Sequence, residues 1–213
     1  MQAAILQKMD ELERMKQDTR AKILSEALAL FNDHGYDGVT LQQIAKAAGV
    51  SKGNLTYYFG RQESVAETLL NQQPVPALRA DSCGELVRAM TALQKALSAS
   101  RFCFLYQTAS GPLAAQFGKR QRETYRAVVP PLRESLNALQ QQGQLRREDY
   151  SGEYQCVANE LYLSALYWGQ FQTLSRPAGS PASYRQQVRS LLRPLLTDAG
   201  RKALGELPGC ATA

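Results

Sequence analysis

Histidine is almost missing from this chain: His34 is the single one among 213 residues, and the four cysteines (Cys83, Cys103, Cys156, Cys210) stand far apart. Metal centres of the zinc type draw three or four Cys, His or carboxylate ligands from tight spacings, so none is expected. The same scarcity leaves no partner for a Cys–His or Ser–His nucleophile, and no cofactor is expected. Isolated cysteines of this kind read as buried, reduced thiols of a cytoplasmic protein. Cys103, within RFCFLY, is the one thiol to weigh as a redox sensor, but nothing near it in sequence lowers its pKa. Long apolar runs are missing too. No stretch of about 18 apolar residues occurs, so no membrane span is expected. Asp10, Glu11, Glu13 and Asp18 argue against a cleaved signal peptide at the start. Period-2 runs bounded by hairpin turns are absent as well, so almost no sheet is expected.

What the chain does have is apolar content, 44% hydrophobic residues, enough to bury a sizeable core. Its formal net charge is +6. A basic balance invites a nucleic-acid partner, yet residues 19–73 carry five bases and five acids, and the excess lies beyond residue 73. Any DNA-reading surface in the first third must therefore rest on a few placed donors and on helix termini.

Apolar residues recur at three- and four-residue steps through nearly every segment, which predicts an all-α protein. Residues 19–34 place Ile23, Ala27, Leu30 and Phe31 on one stripe, and Gly35 supplies a left-handed stop. Thr40 and Gln43 have capping-box spacing at the start of a second helix with Leu41, Ile44 and Ala45 inward, ended by Gly49. Ser51 is an N-cap for a short third helix, SKGNLTYYF. Two short helices joined by a tight glycine turn make a helix-turn-helix. A third helix of such a unit fits the DNA major groove, about 12 Å wide. Lys52 on its first turn can donate to guanine and Asn54 can pair with a base edge or phosphate, while Gly53 permits close backbone approach. Tyr57, Tyr58 and the Thr40 cap can reach phosphates. Val50, Ile44, Leu55 and Phe59 are expected to hold the two helices together. Before residue 19, Ile5, Met9, Leu12 and Met15 or Lys16 continue a helical period, predicting an extension that packs on the body or a partner.

A fourth helix is predicted over 61–72, ending before Pro74, and the Pro-rich segment 73–82 is the best boundary. Further helices are predicted at about 84–99, 101–110, 113–128, 131–142, 152–174 and 183–198, with Gly111-Pro112 and Gly143 as separators. Pro130-Pro131 is expected to split or kink one of them.

The stretch TLQQIAKAAGVSKGNLTYYFGRQE, residues 40–63, closely resembles the DNA-binding signature of the TetR family of bacterial transcriptional regulators. Ile44-Ala45, Ala48-Gly49-Val50-Ser51, Gly53, Leu55, Tyr57-Tyr58-Phe59 and Glu63 carry the likeness, which spans about residues 19–72. The resemblance implies an N-terminal three-helix helix-turn-helix DNA-binding domain plus a C-terminal helical ligand-binding and dimerisation domain. Residues 1–18 would form a helical extension, 19–73 the DNA-binding domain, 74–205 the ligand-binding and dimerisation domain, and 206–213 a tail. Thr40, Gln42, Ser51, Lys52, Gly53, Asn54, Thr56, Tyr57, Tyr58 and Arg61 are its DNA-contact set; Gln42 sits where relatives often reach a base. Many relatives have an aromatic residue where Thr56 stands and a phosphate-binding lysine where Gln62 stands. Arg61, one residue earlier, is expected to take over the lysine's contact.

The resemblance further implies a homodimer built from the last two long helices, binding a near-palindromic operator with recognition helices roughly 34 Å apart, one DNA turn. Residues 154–174 are apolar around almost the whole circumference, as a helix covered on more than one side would be. Leu161, Ala165, Trp168, Val188, Leu192 and Leu195 are the expected interface. Phe102, Leu105, Tyr106, Phe117, Tyr125, Trp168 and Phe171 are candidate linings for a small-molecule effector, against the plainer reading of core packing. The basic run Lys119, Arg120, Arg122 and Arg126 reads as a solvated face, with an anionic ligand or DNA phosphates as the alternative. The reading that results is a cytoplasmic repressor released from DNA by a small-molecule inducer and not an enzyme. A DNA-binding regulator without a small-molecule effector and a helical enzyme or carrier are the alternatives.

Overall fold

Among the described residues helices account for the architecture, because local capping and apolar periodicity agree. In the computed structural model, residues 2–72, 78–105, 113–175 and 183–205 are described, and among them no strand occurs, only an isolated bridge between Leu145 and Leu196. The helices are α1 (Gln2–His34), α2 (Leu41–Ala48), α3 (Lys52–Phe59), α4 (Gln62–Gln72), α5 (Cys83–Ala99), α6 (Phe102–Leu105), α7 (Ala114–Gln141), α8 (Glu153–Ser175), α9 (Tyr184–Leu192) and α10 (Asp198–Leu204), with a 3₁₀ turn at Arg193–Leu195. None of the described helices is long and apolar enough to cross a membrane.

Two compact units form. The first comprises Met1–Pro74 and Ser100–Arg120, the second Val75–Ala99 and Gln121–Ala213. In the first, Ile23, Ala27 and Phe31 of α1 are buried with Ile44, Ala45 and Ala48 of α2, Leu55 and Phe59 of α3, and Val65, Ala66 and Leu69 of α4. Residues 100–120, distant in sequence, contribute Phe102 and Phe117. Phe31 lies 5.5 Å from both Tyr36 and Phe102, and Phe117 lies 6.0 Å from Phe102 and 6.2 Å from Tyr36, ring centre to ring centre. Such pairs contribute about 0.5–1.5 kcal/mol each beyond area burial. Polar bonds fix the same junction: Arg101 donates to the Asn32 carbonyl and to Asp33 Oδ1, each at 2.7 Å, and the Phe102 amide donates to Asn32 Oδ1.

In the second unit α5 packs against α8, α9 and α10, and α8 against α9. Its core includes Leu86, Met90, Leu93, Leu132, Leu136, Leu139, Leu161, Val188 and Leu192. Arg146 anchors the start of α8. Its guanidinium grips both Glu153 oxygens at 2.7 and 2.9 Å and reaches Asp149 at 3.1 Å, while the Arg146 carbonyl accepts from the Tyr154 hydroxyl. The guanidinium bonds hold the Glu153 carboxyl below the usual carboxylate range, and the Asp149 amide donates to it as well.

Several boundaries differ from the periodicity. Helix α1 runs unbroken from the extension into the first domain helix, but Met9, Leu12 and Met15 stay exposed, so the chain's own described residues do not cover them. Helix α7 passes through Pro130 and Pro131 without splitting. Each proline costs a backbone bond, yet Val128, Val129, Leu132 and Leu136 are buried on the flanking turns and hold the helix together. The last predicted helix stops instead at Leu192, with Pro194 in the 3₁₀ turn that follows; Thr197 then caps α10 by accepting from the Gly200 amide. Cys83 and Cys103 are buried, but Cys156 is exposed on α8, against the expectation that the thiols are all interior. Burial pushes the Cys83 thiol up to about 11 and that of Cys103 to about 12.

Candidate nucleic-acid interface

Helix α2 begins as its sequence dictates. The Thr40 amide donates to Gln43 Oε1 at 2.7 Å and the Gln43 amide donates to Thr40 Oγ1 at 3.3 Å, a closed capping box. Gly49 ends the helix at φ 67°, a left-handed conformation that favours glycine, and the Val50 amide closes onto the Ala45 carbonyl. Two residues later the Ser51 hydroxyl accepts from the Asn54 amide at 3.1 Å and starts α3. Apart from the Gln43 and Asn54 amides that the caps take up, the first amides of each helix have no carbonyl one turn back and remain available as donors.

Helix α3 is two-faced. Leu55 and Phe59 are buried, while Lys52, Gly53, Asn54, Thr56 and Tyr57 are exposed and Tyr58 is half-buried. Tyr57 is 74% exposed and rests edge-on against Tyr58 at 5.4 Å, so both phenols lie near one face. Thr40, Gln42, Ser51 and Arg61 are exposed as well. The ten residues expected to contact DNA thus all lie in the first unit, nine exposed and Tyr58 half-buried. Two details qualify individual roles. The Thr56 hydroxyl donates back to the Lys52 carbonyl at 2.9 Å. Val50, expected to be interior, is half-buried.

Gly53 is informative because nothing in the fold demands it. Its φ is not positive, and a Cβ built there would meet nothing nearer than Ser51 Oγ at 4.0 Å. A glycine inside a helix costs roughly 0.5–1 kcal/mol relative to alanine, so its presence fits a demand from outside the chain.

Two contacts were invisible in the sequence. Gln62 Nε2 donates to the Tyr36 carbonyl at 2.8 Å, tying the start of α4 to the turn after α1. Where relatives are expected to carry a phosphate-binding lysine, this side chain is engaged inside the protein, and Arg61 beside it is exposed. Burial, reinforced by the carboxylates of Glu63 and Asp37, pushes the Tyr36 phenol up to about 12. Arg20 of α1 lies over the Phe59 ring at 5.2 Å and braces the end of α3. No spacing rule connects residues 39 positions apart.

The other predicted sites are dispersed. Phe102 and Phe117 belong to the aromatic cluster of the first unit. Tyr125, Trp168 and Phe171 belong to the second, where Tyr125 abuts Tyr162 and its hydroxyl reaches Asn159, and Trp168 packs on Phe171 and Tyr184. Tyr106 lies outside the described residues, as does the side chain of Leu105. Leu161, Ala165, Trp168, Val188, Leu192 and Leu195, expected at a dimer interface, are all buried by the chain itself. A different face of α8 is open: Leu163, Tyr167, Phe171 and Leu174 are 52, 46, 54 and 81% exposed. Their 163-167-171-174 spacing forms one stripe. Lys119, Arg122 and Arg126 are exposed on α7, and Arg120 is half-buried.

Comparison with known proteins agrees with this geometry. Residues 23–69 match the profile described as bacterial regulatory proteins, tetR family, and residues 67–204 match the TetR profile described as bacterial transcriptional repressor. The transcriptional regulator RutR of Escherichia coli K12 is 45% identical over 65 residues, 28% of this chain and 31% of RutR. The matched stretch thus spans about a third of that relative. A TetR-family regulator from Marinobacter aquaeolei VT8 superposes with a TM-score of 0.68 at 21% identity, covering 87% of this chain and 94% of the other. AibR, solved with isovaleryl coenzyme A and operator DNA, gives a TM-score of 0.59 at 21% identity over 84% of this chain and 98% of AibR. At such identities these structures establish a shared fold.

Proposed function

Since the chain belongs to the TetR family of bacterial transcriptional regulators, which are not enzymes, we propose that it is a cytoplasmic repressor that binds a near-palindromic operator as a homodimer and leaves it when a small-molecule inducer binds. Residues 19–73 are the DNA-reading head, and later residues are the sensing and dimerising body. The observation that carries this reading is the first turn of α3: Lys52, Gly53 and Asn54 stand exposed on a helix whose opposite face is locked by buried Leu55 and Phe59. Lys52 and Asn54 read base edges; Gly53 lets the backbone come close. Thr40, Tyr57, Tyr58 and Arg61 hold phosphates, helped by the outward amides of α2 and α3. Gln42, Ser51 and Thr56 complete the facing surface.

The exposed α8 stripe of Leu163, Tyr167, Phe171 and Leu174 supplies the surface for a second copy, because apolar side chains aligned over three turns are costly to leave in water. Phe102 and Phe117 are committed to packing and Phe171 to the partner surface, which leaves Tyr125 and Trp168 as the described aromatic residues for an effector. Inducer binding acts by favouring an operator-incompetent arrangement of the two heads. Footprinting of the DNA adjoining the gene, followed by anisotropy titration of the protected segment, tests the reading. Lys52→Ala is expected to cost about 1–3 kcal/mol of specific binding. Tyr57→Phe is expected to weaken binding and leave the thermal midpoint unchanged. Unaltered affinity in both variants contradicts the assignment of α3.

A further inference from the structure

Along α1, Ala21, Leu24 and Leu28 recur at three- and four-residue steps, which aligns them over about 10 Å of one helix face. Leu69 of α4 faces the same space, and together with Gln17, Arg20, Ser25 and Gln72 they line a groove of about 380 Å³ within the first unit. Leu24 and Leu69 are almost fully buried and form an apolar floor, whereas Ala21 and Ser25 are exposed at the rim. That volume falls at the lower end of small-molecule sites, about 300–1,000 Å³.

Arg20 gives the groove its chemistry. It is half-buried, and its guanidinium lies over the Phe59 ring at 5.2 Å. Among the described residues no carboxylate pairs with it. The acids nearest the groove in sequence, Asp18 and Glu26, make no ion pair with it; Glu13 pairs instead with Lys16, and Glu67 accepts from Gln116. A guanidinium set over an aromatic ring can still donate through its N–H groups, and those donors match a carboxylate two at a time. An open groove one to two turns long, with an apolar floor, a polar rim and an arginine that has no carboxylate partner, suits a ligand with a short alkyl body and one anionic end.

We propose that the α1–α4 groove of the DNA-reading head binds amphipathic monoanions of the medium-chain carboxylate class, with the alkyl chain along Leu24, Leu28 and Leu69 and the carboxylate on Arg20. This site is separate from the aromatic set of the second unit. Since Arg20 braces Phe59, a carboxylate on its edge is felt at the last turn of α3.

The test uses the full-length chain, isotopically labelled, titrated with decanoate below its micellar range and, as a neutral control, decanol. Expected are saturable binding of decanoate by calorimetry and at least tenfold weaker binding of decanol. Amide shifts are expected at Ala21, Ser25 and Leu69, extending to Phe59 and Gly60. Arg20→Gln and Ala21→Trp, the second filling the groove from an exposed position, should each weaken decanoate at least tenfold with unchanged circular dichroism. Should Ala21→Trp disturb the helix signal, Ser25→Trp takes its place with the same expected loss. The proposal is overturned if decanoate does not bind, if decanol binds equally well, or if binding survives both the arginine and the groove-filling substitutions. None of these readouts involves DNA, so the outcome is independent of the operator assignment.

Discussion

At Gly53 the needs of folding and of function point in opposite directions. A methyl group there meets nothing nearer than Ser51 Oγ at 4.0 Å and removes backbone entropy from the unfolded state. Gly53→Ala is therefore expected to raise unfolding free energy by roughly 0.5–1 kcal/mol in urea titrations and to lower operator affinity at least tenfold by anisotropy. A variant that loses both properties together contradicts the close-approach argument. The thiols offer a second residue-level contrast. Burial holds Cys83 and Cys103 as protonated thiols with values of about 11 and about 12, whereas Cys156 lies exposed on α8. In a Cys210→Ser background at pH 8, a thiol-reactive dye is expected to label one cysteine rapidly, and peptide mapping should find it at Cys156; labelling of Cys103 in the folded protein would contradict its burial.

Among the elements, the N-terminus of α8 depends on a charge cluster rather than on apolar packing alone. Arg146 holds Glu153 through two bonds, and this lowers the Glu153 carboxyl from its ordinary value. A depressed folded-state value means that the unfolded chain takes up the proton first as pH falls. The stabilisation is complete above the ordinary carboxylate range and is lost as pH drops through the folded value. Urea midpoints measured from pH 7 to pH 3 should fall steeply at the acid end; Glu153→Gln should lower the midpoint at neutral pH and flatten that dependence. An unchanged slope would show that the cluster does not govern this end of the helix. The helix-turn-helix was legible element by element, because Thr40, Gln43, Gly49 and Ser51 act on amides only a few residues away. The C-terminal boundary was not. Buried apolar residues flank both Pro130 and Pro194, but after Pro194 the Leu195 carbonyl accepts from the Arg146 amide and the Thr197 amide donates to the Gln144 carbonyl, so α9 yields to a 3₁₀ turn while α7 runs through.

For the whole molecule the consequential surface is the outer face of α8. Leu161 and Ala165 are already covered within the chain, so we propose that a partner copy meets the stripe from Leu163 to Leu174. Leu163→Glu with Tyr167→Glu is expected to convert a dimer to a monomer in sedimentation velocity, with helical content kept and operator affinity lost, because one head reaches only one half-site. A double variant that remains dimeric places the interface elsewhere.

By itself the sequence determined the all-α class, the short capped helices and the polar set on α3, since these follow from spacings of three or four residues and from side chains bonding to their own neighbouring backbone. Tertiary structure alone decided that residues 100–120 join the first unit through Phe102 and Phe117, that Arg20 braces Phe59, and which face of α8 stays in water. An apolar residue declares that it seeks cover; which surface supplies the cover depends on chain segments far away in sequence, and only packing in three dimensions selects them.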